Sequence, residues 1–410
     1  RELNTYHVMD SIGQNENLDQ KLKWLSALTT GLLPLGHVDL RLDQVLNYNG
    51  YEGLRTGIGL VTNDRISRYF SLGGYGAYGF KDEQLKYGAD LTLKPRPGRD
   101  LRIKGYYRND VAESGGVEFP RQRIFTNDWY RQWFVDRMDR IERIGGEVSL
   151  RLNRSFKMRF GSERSDRWNL IGYEYADQLT ENITFNRDRF VSGTIKAGLR
   201  FAFRERLVRL PDREVAIASR WPVLNVQAQR SIPGLWNGEQ DNWRIDLMLD
   251  KTFRLRMIGD LSIHLLVGMA DPDSPYPFLY NLRGTFDRRL AVVVENTFQV
   301  MRPNEFLADR YVSIHVRHSF GDLLYKGKKW RPIPVLIGNA AWGGLDRPEV
   351  HHGYSFTSLK KGYYEAGLEI NNIIRTSTLG YGIGIFTRLG VHRSADPWND
   401  LAVKLVMALR

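Results

Sequence analysis

Between Gln84 and Lys94 the chain alternates with a period of two: Leu85, Tyr87, Ala89, Leu91 and Leu93 fall on one side, and Lys86, Asp90, Thr92 and Lys94 on the other. The next segment sets Leu101, Ile103 and Tyr107 against Arg102, Lys104 and Arg108. Successive side chains of a strand point to opposite faces, so each segment predicts a surface that is apolar on one side and charged on the other. The pattern recurs in Val191, Gly193, Ile195, Ala197, Leu199, Phe201 and Phe203. It appears again where Trp243, Ile245, Leu247 and Leu249 oppose Arg244, Asp246, Met248 and Asp250, and it closes the chain at Leu401, Val403, Leu405, Met407 and Leu409. Strands are expected near 51–62, 67–80, 84–95, 99–108, 145–153, 155–164, 189–204, 214–229, 241–254, 258–269, 285–300, 308–320, 334–345, 363–374, 378–389 and 399–409. Whether 38–46 joins them is open. The reading is all-β: a transmembrane antiparallel β-barrel of about 16 strands, an even number as bacterial single-chain barrels prefer.

Two regions depart from this period. Over residues 1–35, Leu18, Leu22, Leu25, Leu28 and Leu32 have helical spacing before Pro34, which predicts a short helix outside the barrel wall of residues 36–410. Residues 109–144 are expected to form a helix-bearing insertion, with Asp128 as N-cap. Its helix would carry Trp129, Tyr130, Trp133, Phe134, Met138 and Ile141 on one face and Arg131, Asp136, Arg140 and Arg143 on the other. A wall beginning at 38 puts this insertion outside the cell, and one beginning at 51 puts it in the periplasm. The glycines among aromatics at Ser71–Phe80 suit a bent strand on which a neighbouring ring lies over the backbone. No helix and no Lys-Ser/Thr pair follows them, against a nucleotide loop.

Composition narrows the class. With 42% hydrophobic residues, a mean hydropathy of -0.42 and no apolar run of 18 residues, the chain offers no transmembrane helix. A barrel escapes this test because lumen residues dilute every strand. The 12% aromatic content fits interfacial girdles. The absence of cysteine excludes disulfide scaffolds, thiolate metal sites and cysteine nucleophiles. A net charge of +12 is spread through the strands and interleaved with acids, which fits a polar lumen rather than a nucleic-acid surface. The start at Arg1 carries no signal peptide and reads as a processed or excised piece.

Several spaced motifs carry a family resemblance. They are Asn49-Gly50-Tyr51-Glu52-Gly53-Leu54-Arg55 with Gly57, Gly59, Thr62 and Asn63; Gly73-Gly74-Tyr75 through Tyr78-Gly79-Phe80-Lys81-Asp82; and Lys86-Tyr87-Gly88. Further along stand Met301-Arg302-Pro303-Asn304-Glu305-Phe306 with Asp309-Arg310-Tyr311, and Tyr364-Glu365-Ala366-Gly367 through Asn371-Asn372-Ile373. Together they resemble a Bacteroidota outer-membrane family of unknown function, whose members place a carboxypeptidase-regulatory-like β-sandwich before a C-terminal barrel. The resemblance implies that only the barrel portion is present here. The chain is also distantly similar to the outer-membrane assembly and secretion-pore superfamily of 16-stranded barrels, without a match to its Val-Arg-Gly-aromatic loop motif. No catalytic residue carries over.

The chemistry on offer is sparse. His351-His352 suits a loop, and His315 shares a lumen face with Ser313 and Arg317 while His318 faces away, so neither pair predicts a metal site. Ser, Asp and His occur without a spacing that singles out a triad, and the expectation is no enzyme, no cofactor and no metal. Arg and Asp or Glu on neighbouring strands are expected to pair across the lumen. Two functions follow. One is a non-enzymatic subunit or accessory of an outer-membrane protein assembly or export complex, with Trp129, Tyr130, Trp133 and Phe134 binding a partner or the membrane. The other is an outer-membrane pore for small anionic solutes. The expected partners are outer-membrane lipid or lipopolysaccharide and other outer-membrane or periplasmic proteins.

Overall fold

The structure, a computed structural model, describes residues 30–96, 100–117, 119, 131–180, 183–209, 214–323, 325, 331–353, 355–376 and 379–409. The chain opens with a hairpin of β1 (Leu32–Leu35) and β2 (Val38–Arg41). A single helical turn, α1 (Leu42–Val45), leads to β3 (Leu46–Asn49). Both β2 and β3 pair with the same neighbour, β4 (Gly53–Thr62), so they form one wall strand interrupted by α1. The wall continues through β5 (Phe70–Gly79), β6 (Gln84–Leu93), β7 (Leu101–Glu113), β8 (Met138–Arg151) and β9 (Phe156–Asn169). A hairpin of β10 (Glu174–Thr180) and β11 (Ile183–Arg187) rises before β12 (Arg189–Ala202), and a second, β13 (Arg206–Arg209) with β14 (Glu214–Ala218), precedes β15 (Val223–Ser231). Then come β16 (Asn242–Leu255) and β17 (Gly259–Ala270), and a long loop whose short strands β18 (Tyr280–Asn281) and β19 (Leu307–Ala308) pair with each other. The wall resumes with β20 (Arg310–Ser319) and β21 (Ile333–Gly344); β22 (His351–His352) lies in the following loop, and β23 (Tyr363–Arg375), β24 (Leu379–Leu389) and β25 (Leu401–Leu409) close the chain.

The main sheet has 18 strand segments, each wall ladder antiparallel. With β2 and β3 counted as one strand and β1 set aside as a hairpin arm, the wall has sixteen staves. The expected number is met with one segment exchanged: the open question at 38–46 resolves in favour of the wall, and one expected strand is lost. Residues 38–49 do join the wall, whereas the segment expected as a strand at 285–300 lies in the long loop and forms no strand. The helix expected from Asp128 is corrected at its far end: β8 begins at Met138, and Met138 and Ile141 are buried strand residues. Its start at Asp128, Trp129 and Tyr130 lies outside the described residues; Arg131 is helical, Gln132–Phe134 makes a 3-10 turn, and the insertion spans 114–137. The helix expected over 18–32 lies outside the described residues save for its end, where Leu32 starts β1.

The alternation seen in sequence fixes the faces. Leu85, Leu91, Ile103, Ile144, Phe160, Ile195, Ile245, Leu368, Ile385 and Val403 point outward and are exposed. Their partners on the other face turn inward and are buried or half-buried, as Lys86, Glu163, Asp246 and Lys404 show. No helix of the described residues is long and apolar enough to cross a membrane, so the outward apolar band is the only lipid-compatible surface of this architecture. The ring-over-glycine contact expected at the glycines of β5 is made the other way round, by a β5 ring over a glycine of β6. The Tyr75 ring lies over Gly88 so closely that a Cβ there would sit 2.6 Å from Cε1.

One end of the barrel carries long loops, 114–137, 170–188, 271–309 and 345–362; the other has tight turns at 152–155 and 256–258 and a short connection at 376–378, together with the longer connections 203–222, which holds the β13–β14 hairpin, and 320–332. Two long loops meet in a small sheet, β10 pairing with β11 and, at Glu174↔His352 and Tyr175↔His351, with β22. The hydrophobic core is here, inside the long-loop end. Tyr173, Tyr276, Leu279, Tyr280, Phe298, Met301, Phe306 and Tyr363 are fully buried in it.

Candidate functional site in the plugged lumen

The largest single contribution to that core comes from the loop between β17 and β20. Its apolar residues have no lipid or solvent to face inside a barrel, so they bury against each other and against inward wall residues. The backbone they bring along must find partners, and the wall supplies them. Glu365 of β23 is 2% exposed and accepts from the Gln299 and Val300 amides at 2.8 and 3.0 Å. Asn339 of β21 donates to the same carboxylate at 2.6 Å and to the Thr297 carbonyl at 3.2 Å. Lys404 of β25 donates to the Thr285 carbonyl at 2.7 Å. Arg388 of β24 clamps Glu305 at 2.7 and 2.9 Å and donates to the Val300 carbonyl at 2.7 Å.

Contacts on the other side hold the loop across the barrel. Arg244 of β16 donates to the carbonyls of Leu279 at 3.5 Å and Gly116 at 3.0 Å, with its guanidinium 4.2 Å from the Tyr280 ring centroid. Tyr280 donates to the Ile245 and Met269 carbonyls. Asn281 donates to the Ser114 carbonyl, and Asn304 reaches Asp136 at 3.0 Å, so the 114–137 insertion packs on the same plug. The lumen is thus filled at its long-loop end.

The cap groups titrate according to burial. At His351, burial, then His352 and Arg347, hold the imidazole down at about 4; its Nδ1 meets the Tyr173 hydroxyl at 2.8 Å. Burial pushes the Asp309 carboxyl up, against the Asp346 amide that donates to it at 2.6 Å. At the short-turn end burial also acts on Asp100, but Lys157 at 2.8 Å, with Arg102 and Arg151, outweighs it and holds the carboxyl below its ordinary range.

The lumen is also lined by ion pairs: Lys196–Glu163 at 2.7 Å joins neighbouring strands as expected, whereas Arg41–Asp90 at 2.7 Å, Arg55–Asp110 at 2.6 Å and Arg317–Glu369 at 2.7 Å reach past one or more intervening strands. A polar cavity of about 160 Å³ opens beside α1, lined by Asp43, Asn47, Glu52, Arg55, Asp110 and Gln132. Among the described residues no group of three His, Asp or Glu side chains is placed to hold a metal ion. His315 is buried on the lumen face as expected, but its neighbour is His264, directly opposite on β17, with ring centroids 5.9 Å apart. That pairing crosses strands and is invisible to a search for nearby histidines in sequence.

The four candidate contact residues separate. Phe134 is 4% exposed, its ring 5.3 Å from the Lys404 ammonium, so its side chain serves the interior. Trp133 is half-buried; Trp129 and Tyr130 lie outside the described residues. Sequence reading missed the plug anchors altogether. The one available signal was the density of buried-type residues over 276–308 among Gly284, Pro303 and two asparagines, Asn296 and Asn304, which take positive φ.

A seam completes the geometry. Leu405 directs its amide and carbonyl away from β24, toward the plug: it donates to Ala291 at 2.6 Å and accepts from Val293 at 2.9 Å, in a parallel bridge to Val292. Among the described residues nothing else pairs with this edge of β25, and no ladder joins it to β1, β2 or β3.

No protein of curated function matches the sequence. Among solved structures, the chain is similar to BamA from Haemophilus ducreyi lacking POTRA domains 1–3, with a TM-score of 0.52 and 11% identity over 89% of this chain and 69% of that one. It is also similar to CdiB from Escherichia coli, at a TM-score of 0.47 and 10% identity over 91% of this chain and 62% of that one. For OccK11 from Pseudomonas aeruginosa the TM-score is 0.34, with 12% identity over 86% and 87%. At such identities the BamA likeness establishes a shared fold, that of a bacterial outer-membrane β-barrel. A family described as "Family of unknown function (DUF5686) C-terminal domain" matches residues 37–330, most of the wall and the whole plug, and the chain belongs to that family.

Proposed function

We propose that this chain works in the bacterial outer membrane as a non-enzymatic barrel subunit or accessory of a protein assembly or export complex. The seam carries the reading. An unpaired strand edge is a template for another strand, and β25 offers one that is engaged at Leu405 alone among the described residues. The long-loop end then faces outward, since outer-membrane barrels keep short periplasmic turns. This reading takes with it the Bacteroidota origin and the preceding sandwich domain that the sequence motifs imply. Trp129 and Tyr130, with the exposed part of Trp133, are its candidate contacts to a partner.

A second reading is a pore for small anionic solutes, favoured by the cations around Asp100 and by Lys104 and Arg159 in the lower lumen. The plug weighs against it. Gentle detergent extraction from native outer membranes, followed by mass spectrometry of the intact complex, separates the two. Stoichiometric companion proteins support the first reading. A solitary barrel that conducts anions in a planar bilayer, with conductance falling when Arg159 and Lys104 are neutralised, overturns it in favour of the second.

A further inference from the structure

Strands β8, β9 and β12 continue well past the apolar band toward the long-loop end, and their outward faces change character there. Ile144, Arg164 and Gly193 stand in one row across the three strands. The next outward row is Glu142, Asp166 and Val191, and the one beyond is Arg140, Trp168 and Arg189. In that last row both arginines lie against the tryptophan, their guanidinium carbons 5.4 and 5.1 Å from its ring centroid. Cation–π attraction to the indole holds each guanidinium in place and leaves the donors not already engaged available to a further partner.

The charges do not balance. Arg189 makes two bonds to Asp166, at 2.9 and 2.6 Å, and Arg164 lies 3.7 Å from the same carboxylate. Glu142 accepts from the Tyr107 hydroxyl at 3.0 Å. Arg140 is exposed and has no carboxylate partner among the described residues. Three arginines therefore share two carboxylates on an outward surface. Ile144 stands two rows below the arginines, Ile195 one row further and Phe160 one row beyond that; all three are exposed and lead down into the apolar band.

A flap closes one side. The turn 232–238 folds back over the wall, and Trp236 donates from Nε1 to Ser162 Oγ at 2.8 Å. It fits because residue 193 is glycine: a Cβ there would come 1.8 Å from the Leu235 carbonyl oxygen. The result is a shallow recess with cations above, an indole beside it and lipid-facing side chains beneath.

We propose that this recess binds the phosphate of a lipid headgroup in the leaflet at the long-loop end, with Arg140 as a bidentate donor, Arg189 donating from Nη1, which its two bonds to Asp166 do not use, and the acyl chains against Ile144, Phe160 and Ile195. The lipid source follows from position, since a phosphate there is continuous with chains in the apolar band. The inference rests on the wall spanning a membrane, and it is independent of the partner complex.

The test reconstitutes the protein into phosphatidylcholine vesicles doped with diphosphoryl lipid A or with its dephosphorylated form, and measures retained lipid by native mass spectrometry after extraction. Wild type is expected to retain the phosphorylated form with about tenfold preference, as one or two charge-assisted hydrogen bonds would give. R140Q/R189Q should lose that preference, and R140K/R189K should keep part of it. Heat-dependent gel mobility checks that each variant is folded. A folded, inserted wild type without preference overturns the proposal, as does full preference in folded R140Q/R189Q or full competition by inorganic phosphate. Failure to insert into any vesicle overturns the membrane-spanning reading instead.

Discussion

The two sides of the wall are built differently. On one side β8, β9 and β12 have 14 residues each and are joined by uninterrupted ladders, from Arg151↔Lys157 to Asp139↔Asn169 and from Phe201↔Phe156 to Arg189↔Trp168. On the other, β4, β5 and β6 have 10 residues and β25 has 9. There β2 and β3 share one edge of β4 around a helical turn, and β25 meets a loop. At a rise of roughly 3.4 Å per residue, four more residues make the first side about 14 Å taller. The tall side is held by backbone ladders and presents its surplus height outward. The short side has shorter ladders, ten pairs between β5 and β6 and nine between β24 and β25, and at its interrupted edge it leans on side chains, the Arg55–Asp110 pair and the plug anchors among them.

Arg55→Ala tests that dependence most severely. It strips Asp110 of its partner at 2.6 Å and weakens the set around Glu52, and removing one member of a buried pair costs about 3–5 kcal/mol. Urea unfolding in detergent should show the loss, with hydrogen exchange rising first in β3 and β4. Next comes acidification of the cap. The unfolded chain protonates His351 near 6.5 and the folded chain only at about 4. Stability is therefore complete above the unfolded value, falls between the two as pH drops, and is constant below the lower one, a total of roughly 3 kcal/mol. Exchange at Tyr175, Ala176 and His352 should rise between pH 7.5 and 4.5, and His351→Gln should flatten that profile.

A smaller effect is expected on the tall side from Gly193→Ala. It pushes the flap off the wall, costs about 1–3 kcal/mol, and should expose 232–241 to limited proteolysis while the β9–β12 ladder stays protected. Least of all, Arg187→Ala removes a partly exposed pair with Glu239 at 3.3 Å and should cost less than about 1 kcal/mol. If Arg187→Ala and Arg55→Ala cost the same, the asymmetry between the two sides is wrong.

What the sequence made legible follows from what each residue faces. Lipid on one side and a polar lumen on the other enforce a clean alternation, so β6, β12, β16 and β25 could be read with their faces correct. The plug defeats the same rule. Leu290, Val292 and Val294 alternate like a strand, yet Val294 is buried and the other two half-buried in a loop inside a lumen whose existence depends on sixteen staves distant in sequence. At the top of β8 Met138 and Ile141 are both buried, although alternation puts them on opposite faces of the strand, and their spacing imitates a helix. Arg140, Trp168 and Arg189 meet only because three registers align, and their separation in sequence gives no hint of it.

The seam can be measured directly because the chain has no cysteine. Val292→Cys with Leu405→Cys joins the bridged pair, and Ile385→Cys with Val403→Cys, opposite each other on β24 and β25, serves as the control. Under mild oxidation of native membranes both pairs should form disulfides, since each places its Cα atoms within the roughly 7 Å a disulfide tolerates. If the control cross-links and Val292–Leu405 does not, the loop does not hold the edge of the last strand, and the plugged barrel with a side-chain-held seam is contradicted.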